Sequence, residues 1–342
     1  MEQIEKAILH NGFNGEARAE ELIAEGKTRR LLIVTHGENF HADDVMAYAV
    51  LNELFREAEF VRTRDPEIIE QADIVFDVGM EYDPSRHRYD HHQRVGSPMR
   101  QLNDGTETPY SSAGLIWRFF GRNYLRSIGV TNRKLENILW SRTDEVLFSV
   151  IDAMDNGLQK GRPPGIIDVI SSYNLSWDED NSDEAIMTQF LDASRIAGDF
   201  LINMIKRFHG AERARIIVLD VLMNSPEDDI LVLPAAMPFK TVLQDSPVKF
   251  VIMPDSKTGN YQIQSVPQDT IYENKALLPK RWRGLANEEL QCTSMLPDAV
   301  FVHRNGFFGV AGSIETAMIM AREGVRESEK DAKYAEMEAM NV

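Results

Sequence analysis

Leu31-Leu32-Ile33-Val34-Thr35-His36-Gly37 is a short apolar run that closes on a histidine and a glycine. Flanked by Arg29-Arg30 and by a residue suited to a sharp turn, it reads as a buried strand. The next segment, Asn39-Phe40-His41-Ala42-Asp43-Asp44, precedes Val45, Ala47, Tyr48, Val50, Leu51, Leu54 and Phe55. That spacing predicts an amphipathic helix with Asp43 or Asp44 near its N-terminus. Glu59 to Arg64 predicts a second strand, Pro66 to Gln71 a brief helix with proline in its first turn, and Asp73 to Gly79 a third strand. This β-α-β-α-β succession predicts an α/β fold with a doubly wound, mostly parallel sheet. Such sheets bind ligands beyond the carboxyl ends of their strands, and here those ends deliver His36 and Asp77, with His41 and Asp43 at the first crossover.

Outward from this frame comes Arg86-His87-Arg88-Tyr89-Asp90-His91-His92, which holds three of the chain's eight histidines. Imidazole and carboxylate together suit divalent cations, although a histidine pair alone is equally a polar loop. Adjacent residues on an extended segment point to opposite sides, so His91 and His92 are expected to serve different partners. A long polar loop is expected over 96–109, and its length marks it as functional or mobile. Ser111-Ser112-Ala113-Gly114-Leu115 opens an apolar helix, and a further helix from Lys134 ends near Asp152-Ala153-Met154-Asp155-Asn156-Gly157. Asp152 and Asp155 stand three apart and can share a helix face.

The formal net charge of −17 argues against a surface that grips nucleic acid by charge alone, so a polyanionic substrate needs a local positive centre. One cysteine, Cys292, excludes an intramolecular disulfide and a cysteine-rich zinc site. No apolar run has transmembrane length, and the acidic N-terminus lacks the apolar core of a secretory signal; a cytoplasmic protein is the default expectation, with no membrane partner.

The chain divides on this reading into an N-terminal extension (1–28), a metal-binding α/β domain (29–160), a hinge and acidic loop (161–184), a smaller α+β domain with a mixed sheet (185–322) and a charged tail (323–342). In the second domain a helix is expected from Ala185 to Phe208, then strands at Ala214 to Leu219, Ile230 to Leu233, Val248 to Met253, Tyr261 to Val266 and Ala299 to His303. Asn305-Gly306-Phe307-Phe308-Gly309 is expected to be a glycine loop before a helix, able to cradle phosphate through its amides.

His36, His41, Asp43, Asp77, His91, His92 and Asp155 are too many ligand-type residues for one ion. Two cations sharing a carboxylate would use them, and Asp77 is best placed to bridge. Oxygen and nitrogen ligands without thiolate favour two Mn²⁺, with Mg²⁺ or another transition metal as alternatives.

In this order the motifs resemble the DHH phosphoesterase superfamily, and within it the melanocyte-proliferating-gene (Myg) family of metal-dependent 3′→5′ RNA exonucleases. The segments that carry the resemblance are Thr35-His36-Gly37 through Asp43, Asp77-Val78-Gly79, Tyr89-Asp90-His91-His92, Ser111 to Leu115, Asp152 to Gly157, Arg281-Trp282-Arg283-Gly284-Leu285 and Phe301 to Phe307. The resemblance implies a DHH-like fold and metal ligation by His36, His41, Asp43, Asp77, His91 and Asp155, with His92 facing the scissile phosphate. Here His41-Ala42-Asp43 stands where the superfamily carries Asp-x-Asp, and Phe239 stands where family members tend to carry tryptophan. The expected activity is a two-metal exonuclease on RNA or short oligonucleotides. Lys240, Arg283, His303, Arg304 and Gly306 would contact the nucleotide as the second domain closes over it. A small-molecule phosphatase or pyrophosphatase, or a non-catalytic metal-binding regulator, is the alternative, and a homo-oligomer is left open.

Overall fold

The computed structural model describes residues 17–93, 97–158, 165–225, 229–268 and 273–340. The chain forms two compact units that divide between His209 and Gly210.

The first unit is built on a five-stranded sheet. β1 (Leu32–Thr35) pairs in parallel with β2 (Glu59–Arg62) on one side and with β3 (Ile74–Phe76) on the other. β5 (Arg88–Tyr89) runs parallel to β3, and β4 (Tyr82–Asp83) closes the edge antiparallel to β5. The crossovers are α2 (Ala42–Leu54) and α3 (Pro66–Gln71). Because the chain leaves β1 for a neighbour on one side and returns on the other, the switch point lies at the carboxyl ends of β1 and β3. This is the doubly wound, mostly parallel sheet that the apolar runs predict.

Period-two alternation sorts the strand side chains onto two faces. Ile33, Ile74 and Phe76 enter the main core with α2 and α4 (Ser112–Ser127), while Val34 and Val75 meet Ile68 and Ile69 of α3. Residues 17–26 form a helix, α1, whose Ala19 and Leu22 join the main core. The polar N-terminal segment is thus part of the fold over those residues, because one apolar stripe suffices to dock a helix.

The stretch 96–109 is not the expected long loop. From residue 97 it folds into a hairpin of β6 (Met99–Gln101) and β7 (Glu107–Pro109), turned through Asp104 and Gly105 with Gly105 at φ +85°. α5 (Arg133–Thr143), a π-helical turn (Asp144–Phe148) and α6 (Ser149–Asp155) follow without interruption. Of the expected hinge, residues 161–164 lie outside the described residues. α7 (Ile166–Ser171) buries Ile170 in the main core, and Asn174 exchanges two hydrogen bonds with the backbone of Phe40 at 2.8 and 3.0 Å.

α8 (Asp183–Met223) corrects two further expectations. Its Phe190, Ala193, Ala197, Leu201 and Ile205 belong to the first unit's core, so the division falls inside this helix and not near residue 185. The strand expected at Ala214–Leu219 is also helical. In a strand Ala214, Ile216 and Val218 would share a face, yet Ala214 and Val218 are buried while Ile216 is 64% exposed.

The second unit carries a five-stranded mixed sheet in the order β11-β12-β10-β9-β8. These strands are Ala299–Val302, Phe308–Ala311, Tyr261–Ser265, Phe250–Pro254 and Ile230–Val232, and only β8 and β9 (Ile230–Val232 with Phe250–Pro254) pair in parallel. Phe250 and Ile252 face a core shared with α10 (Asn287–Ser294) and α11 (Ile314–Met340), and Val251 and Met253 face another with Val218 and with Phe239, which precedes α9 (Lys240–Leu243). The tail set apart in the sequence reading continues α11 unbroken to Met340. Among the described residues, no helix is long and apolar enough to cross a membrane.

Candidate metal centre

β1 ends at Thr35, so His36 emerges at the switch point. Its Nδ1 lies 2.7 Å from the Gly37 carbonyl, which can only accept, so the N–H sits there and Nε2 is turned towards the carboxylates. That Nε2 stands 3.3 Å from Asp44 Oδ2 and 3.2 Å from Asp77 Oδ2. Asp77 follows β3 directly and takes φ +57°, a left-handed conformation that costs energy outside glycine and recurs at functional sites. Its other oxygen, Oδ1, lies 3.2 Å from both His91 Nε2 and Ser112 Oγ. His91 Nε2 also faces Asp43 Oδ2 at 3.6 Å and Asp155 Oδ2 at 3.5 Å. Asp77 therefore offers one oxygen to a His36–Asp44 set and the other to a His91–Asp43–Asp155 set.

Asp43 and Asp44 occupy the first turn of α2, where unpaired amides favour anions. Asp44 Oδ1 accepts from His41 N at 2.8 Å, which leaves Oδ2 to face His36. Asp44 was not distinguishable from a plain helix cap in the sequence; in the structure its Oδ1 serves the start of α2 and its Oδ2 faces His36. Arg62 reinforces it: the buried guanidinium lies 3.8 Å from Asp44 Oδ2 and donates to the Glu38 carbonyl at 2.9 Å.

After Tyr89 the chain does not stay extended. Asp90 Oδ1 accepts from the amides of His91 and His92 at 2.7 and 3.1 Å, and this local turn sets the two imidazoles side by side, 4.2 Å between ring centroids. The expected opposite orientation is thereby overturned. His91 is buried; His92 keeps 52% of its side chain exposed, with Nδ1 2.7 Å from Asp90 Oδ1.

Burial opposes the charged form of His36 and His91, but the adjacent carboxylates outweigh it and raise them to about 10 and about 11. Burial likewise opposes ionisation of Asp77, yet His36 and His91 hold its carboxyl below the usual range. Asp43 is pushed up to about 6 by burial and then by Asp77, and Asp155 to about 7 by burial and then by Asp43. Both oxygens of Asp43, Oδ2 of Asp44 and Nε2 of His91 are buried without a hydrogen-bond partner. Uncompensated buried charge is costly; a divalent cation held by His36, Asp44 and Asp77 would satisfy the Asp44 oxygen, and one held by Asp43, His91 and Asp155 would satisfy the others. Three groups offer ligand atoms within 4.8 Å of one another: His36–Asp44–Asp77, Asp43–His91–Asp155 and Asp77–His91–His92.

His41 is exposed and belongs to none of these groups. Asp152 is also elsewhere: it is buried against Ser111 and Arg100, so Asp155 alone represents that helix at the centre. In the second unit, Arg283 Nε donates to Leu278 O at 2.9 Å, and Gly306, at φ +75°, lies against the Arg283 guanidinium. The segment from His303 to Phe307 is a β-hairpin turn and not a loop before a helix. Its Gly306 amide donates to His303 O at 2.8 Å and its Asn305 amide to His303 Nδ1 at 3.1 Å, so neither is left to cradle phosphate. Arg304 and Lys240 are exposed.

A doubly wound sheet with clustered imidazoles and carboxylates at its switch point defines an α/β protein with a candidate divalent-metal centre. The chain belongs to the family described as "Uncharacterised protein family (UPF0160)", MYG1_exonuc, whose model matches residues 32–325. It is 36% identical over 320 residues to the MYG1 exonuclease of Homo sapiens, covering 85% of this chain and 84% of that one. It is 31% identical to MYG1 protein YER156C of Saccharomyces cerevisiae, covering 85% and 94%. Among solved structures, exonuclease RecJ bound to manganese aligns over 75% of this chain and 84% of that one, with 16% identity and a TM-score of 0.27.

Proposed function

We propose that the chain is a metal-dependent phosphodiesterase, acting as a 3′→5′ exonuclease on RNA or short oligonucleotides with two divalent cations, Mn²⁺ foremost. The observation that carries this reading is Asp77, whose two oxygens face two separate histidine–carboxylate sets. The exonuclease names of its relatives agree with it. When bound, the cations supply Lewis-acid polarisation of the phosphate and activation of water. His36, Asp44 and Asp77 would hold one, and Asp77, His91, Asp43 and Asp155 the other, while Ser112 and Arg62 keep Asp77 and Asp44 in place. His92, oriented by Asp90 and open to solvent, would stabilise charge on the phosphoryl oxygens or protonate the leaving oxygen.

End-labelled RNA incubated with the protein and Mn²⁺ should release mononucleotides from its 3′ end, and chelator or Asp77→Asn should stop it. Release of inorganic phosphate from small phosphate esters, with no mononucleotide from RNA, would favour a phosphatase instead. The net charge of −17 gives that second reading its support, since a long polyanion is repelled away from the centre.

A further inference from the structure

The second unit contains a cleft of about 630 Å³ whose lining differs in kind from the metal centre. Four carboxamides, Gln264, Gln268, Asn274 and Asn305, share it with Lys240 and Phe307. A phosphate site concentrates arginine and lysine, and a metal site concentrates carboxylates and imidazoles. This cleft has one lysine and one carboxylate, Glu273. Each carboxamide sets a donor beside an acceptor, the pattern that pairs in bidentate fashion with the edges of heterocyclic bases. Glu273 adds an acceptor for an exocyclic amino group.

The cleft also has a surface for stacking. Phe307 is 38% exposed, and the His303 ring backs it at 4.5 Å between centroids. Phe239, next to Lys240, cannot serve, because it is 2% exposed within the core. Ser265 is spoken for: its Oγ donates to Ala276 O at 2.7 Å and its N to Phe307 O at 2.9 Å, which fixes the backbone beneath the aromatic ring. The volume lies within the range of small-ligand pockets.

We propose that this cleft is a nucleotide subsite that recognises the base. Phe307 stacks on the base, the carboxamides of Gln264, Asn274 and Asn305 take its hydrogen-bonding edge, and Lys240 meets the phosphate. The proposal deepens the nuclease reading and rests on it for the source of the nucleotide, but the binding itself needs no metal.

The test is isothermal titration calorimetry of the full chain carrying Asp77→Asn, with chelator, against AMP, GMP, CMP and UMP, and against ribose 5-phosphate. Turnover is absent under these conditions, so the result is independent of the nucleotide-release assay that tests the nuclease reading. At least one nucleotide should bind about tenfold or more tightly than ribose 5-phosphate. Adding Phe307→Ala or Asn305→Ala should each weaken it by about tenfold, while Phe307→Tyr retains it. Gln264→Ala supplies the same comparison should the Phe307 variant fail to fold. Equal affinity for nucleotide and ribose 5-phosphate, no binding of any nucleotide, or undiminished binding in the variants overturns the proposal.

Discussion

Asp152 occupies the space that a side chain on Gly114 would need: a Cβ there would stand 2.7 Å from Asp152 Cγ. The carboxylate is held in that space from three directions. Oδ1 accepts from Ser111 N at 2.9 Å and from Ser111 Oγ at 2.6 Å, and Arg100 Nη1 donates to Oδ2 at 2.7 Å. Burial pushes its carboxyl up to about 6, with Arg100 opposing. Asp152 thus ties the start of α4 and the β6–β7 hairpin to the helix that presents Asp155.

Gly114→Ala should therefore destabilise the fold by about 1–3 kcal/mol, the usual scale of overpacking a core. Urea denaturation should show a lower midpoint at unchanged slope. A midpoint equal to the parent's would mean that the Asp152 carboxylate moves aside freely.

The sheet was legible because β1 and β3 are short apolar runs with punctuation at both ends, and the histidines and aspartates at those ends already mark the edge where chemistry collects. Asp44 was not separable from a cap, since a carboxylate in a helix's first turn looks the same whether its second oxygen meets water or His36. The run from Ala214 to Leu219 is rich in β-branched residues and reads as a strand, but no proline stops α8 before it and only one side of it finds a core. The unit boundary inside α8 leaves no compositional trace, because what changes there is the partner of the helix and not the helix.

The two carboxylates flanking Asp77 should separate the two halves of the centre. Asp155→Asn removes a carboxylate beside His91, and Asp44→Asn removes one beside His36 while keeping an Oδ1 acceptor for the His41 amide. Elemental analysis after Mn²⁺ saturation should find each variant short of about one equivalent, and Asp77→Asn short of both. Full occupancy in Asp77→Asn would refute its shared role.

Acid stability offers a test away from the centre. Asp73 accepts from Leu32 N at 2.8 Å and from Arg29 Nη1 at 2.9 Å, joining the start of β1 to the start of β3. Burial raises its carboxyl, but Arg29 and the Leu32 amide outweigh that and hold it below the ordinary 3.8. The unfolded chain therefore binds the proton first, so this stabilisation is complete above the unfolded value and is lost as pH falls through the folded one. Asp73→Asn should cost ~1 kcal/mol near neutrality, and the gap between parent and variant should shrink below pH ~4 in parallel melts. A gap that stays constant down to strong acid would show that the carboxylate's charge contributes nothing.

His91 and His92 share a neighbourhood, yet their surroundings separate their roles. His91 presents Nε2 to three carboxylates and is almost buried, whereas His92 spends Nδ1 on Asp90 and keeps half its side chain in solvent. The hydrogen bond to Asp90 raises the His92 imidazole above its ordinary value against the opposing effect of partial burial, which favours the proton-bearing form. His92→Ala should therefore lower turnover roughly 10²-fold, the scale of losing one general acid–base group, with metal content intact. His91→Ala should lower metal content as well as turnover. Because Asp77 Oδ1 lies 3.6 Å from His92 Nδ1, a ligand role for His92 is also geometrically open. Elemental analysis of the two alanine variants decides between them: equal metal loss in both would make His92 a ligand, and retained metal with lost turnover makes it the residue that meets the substrate.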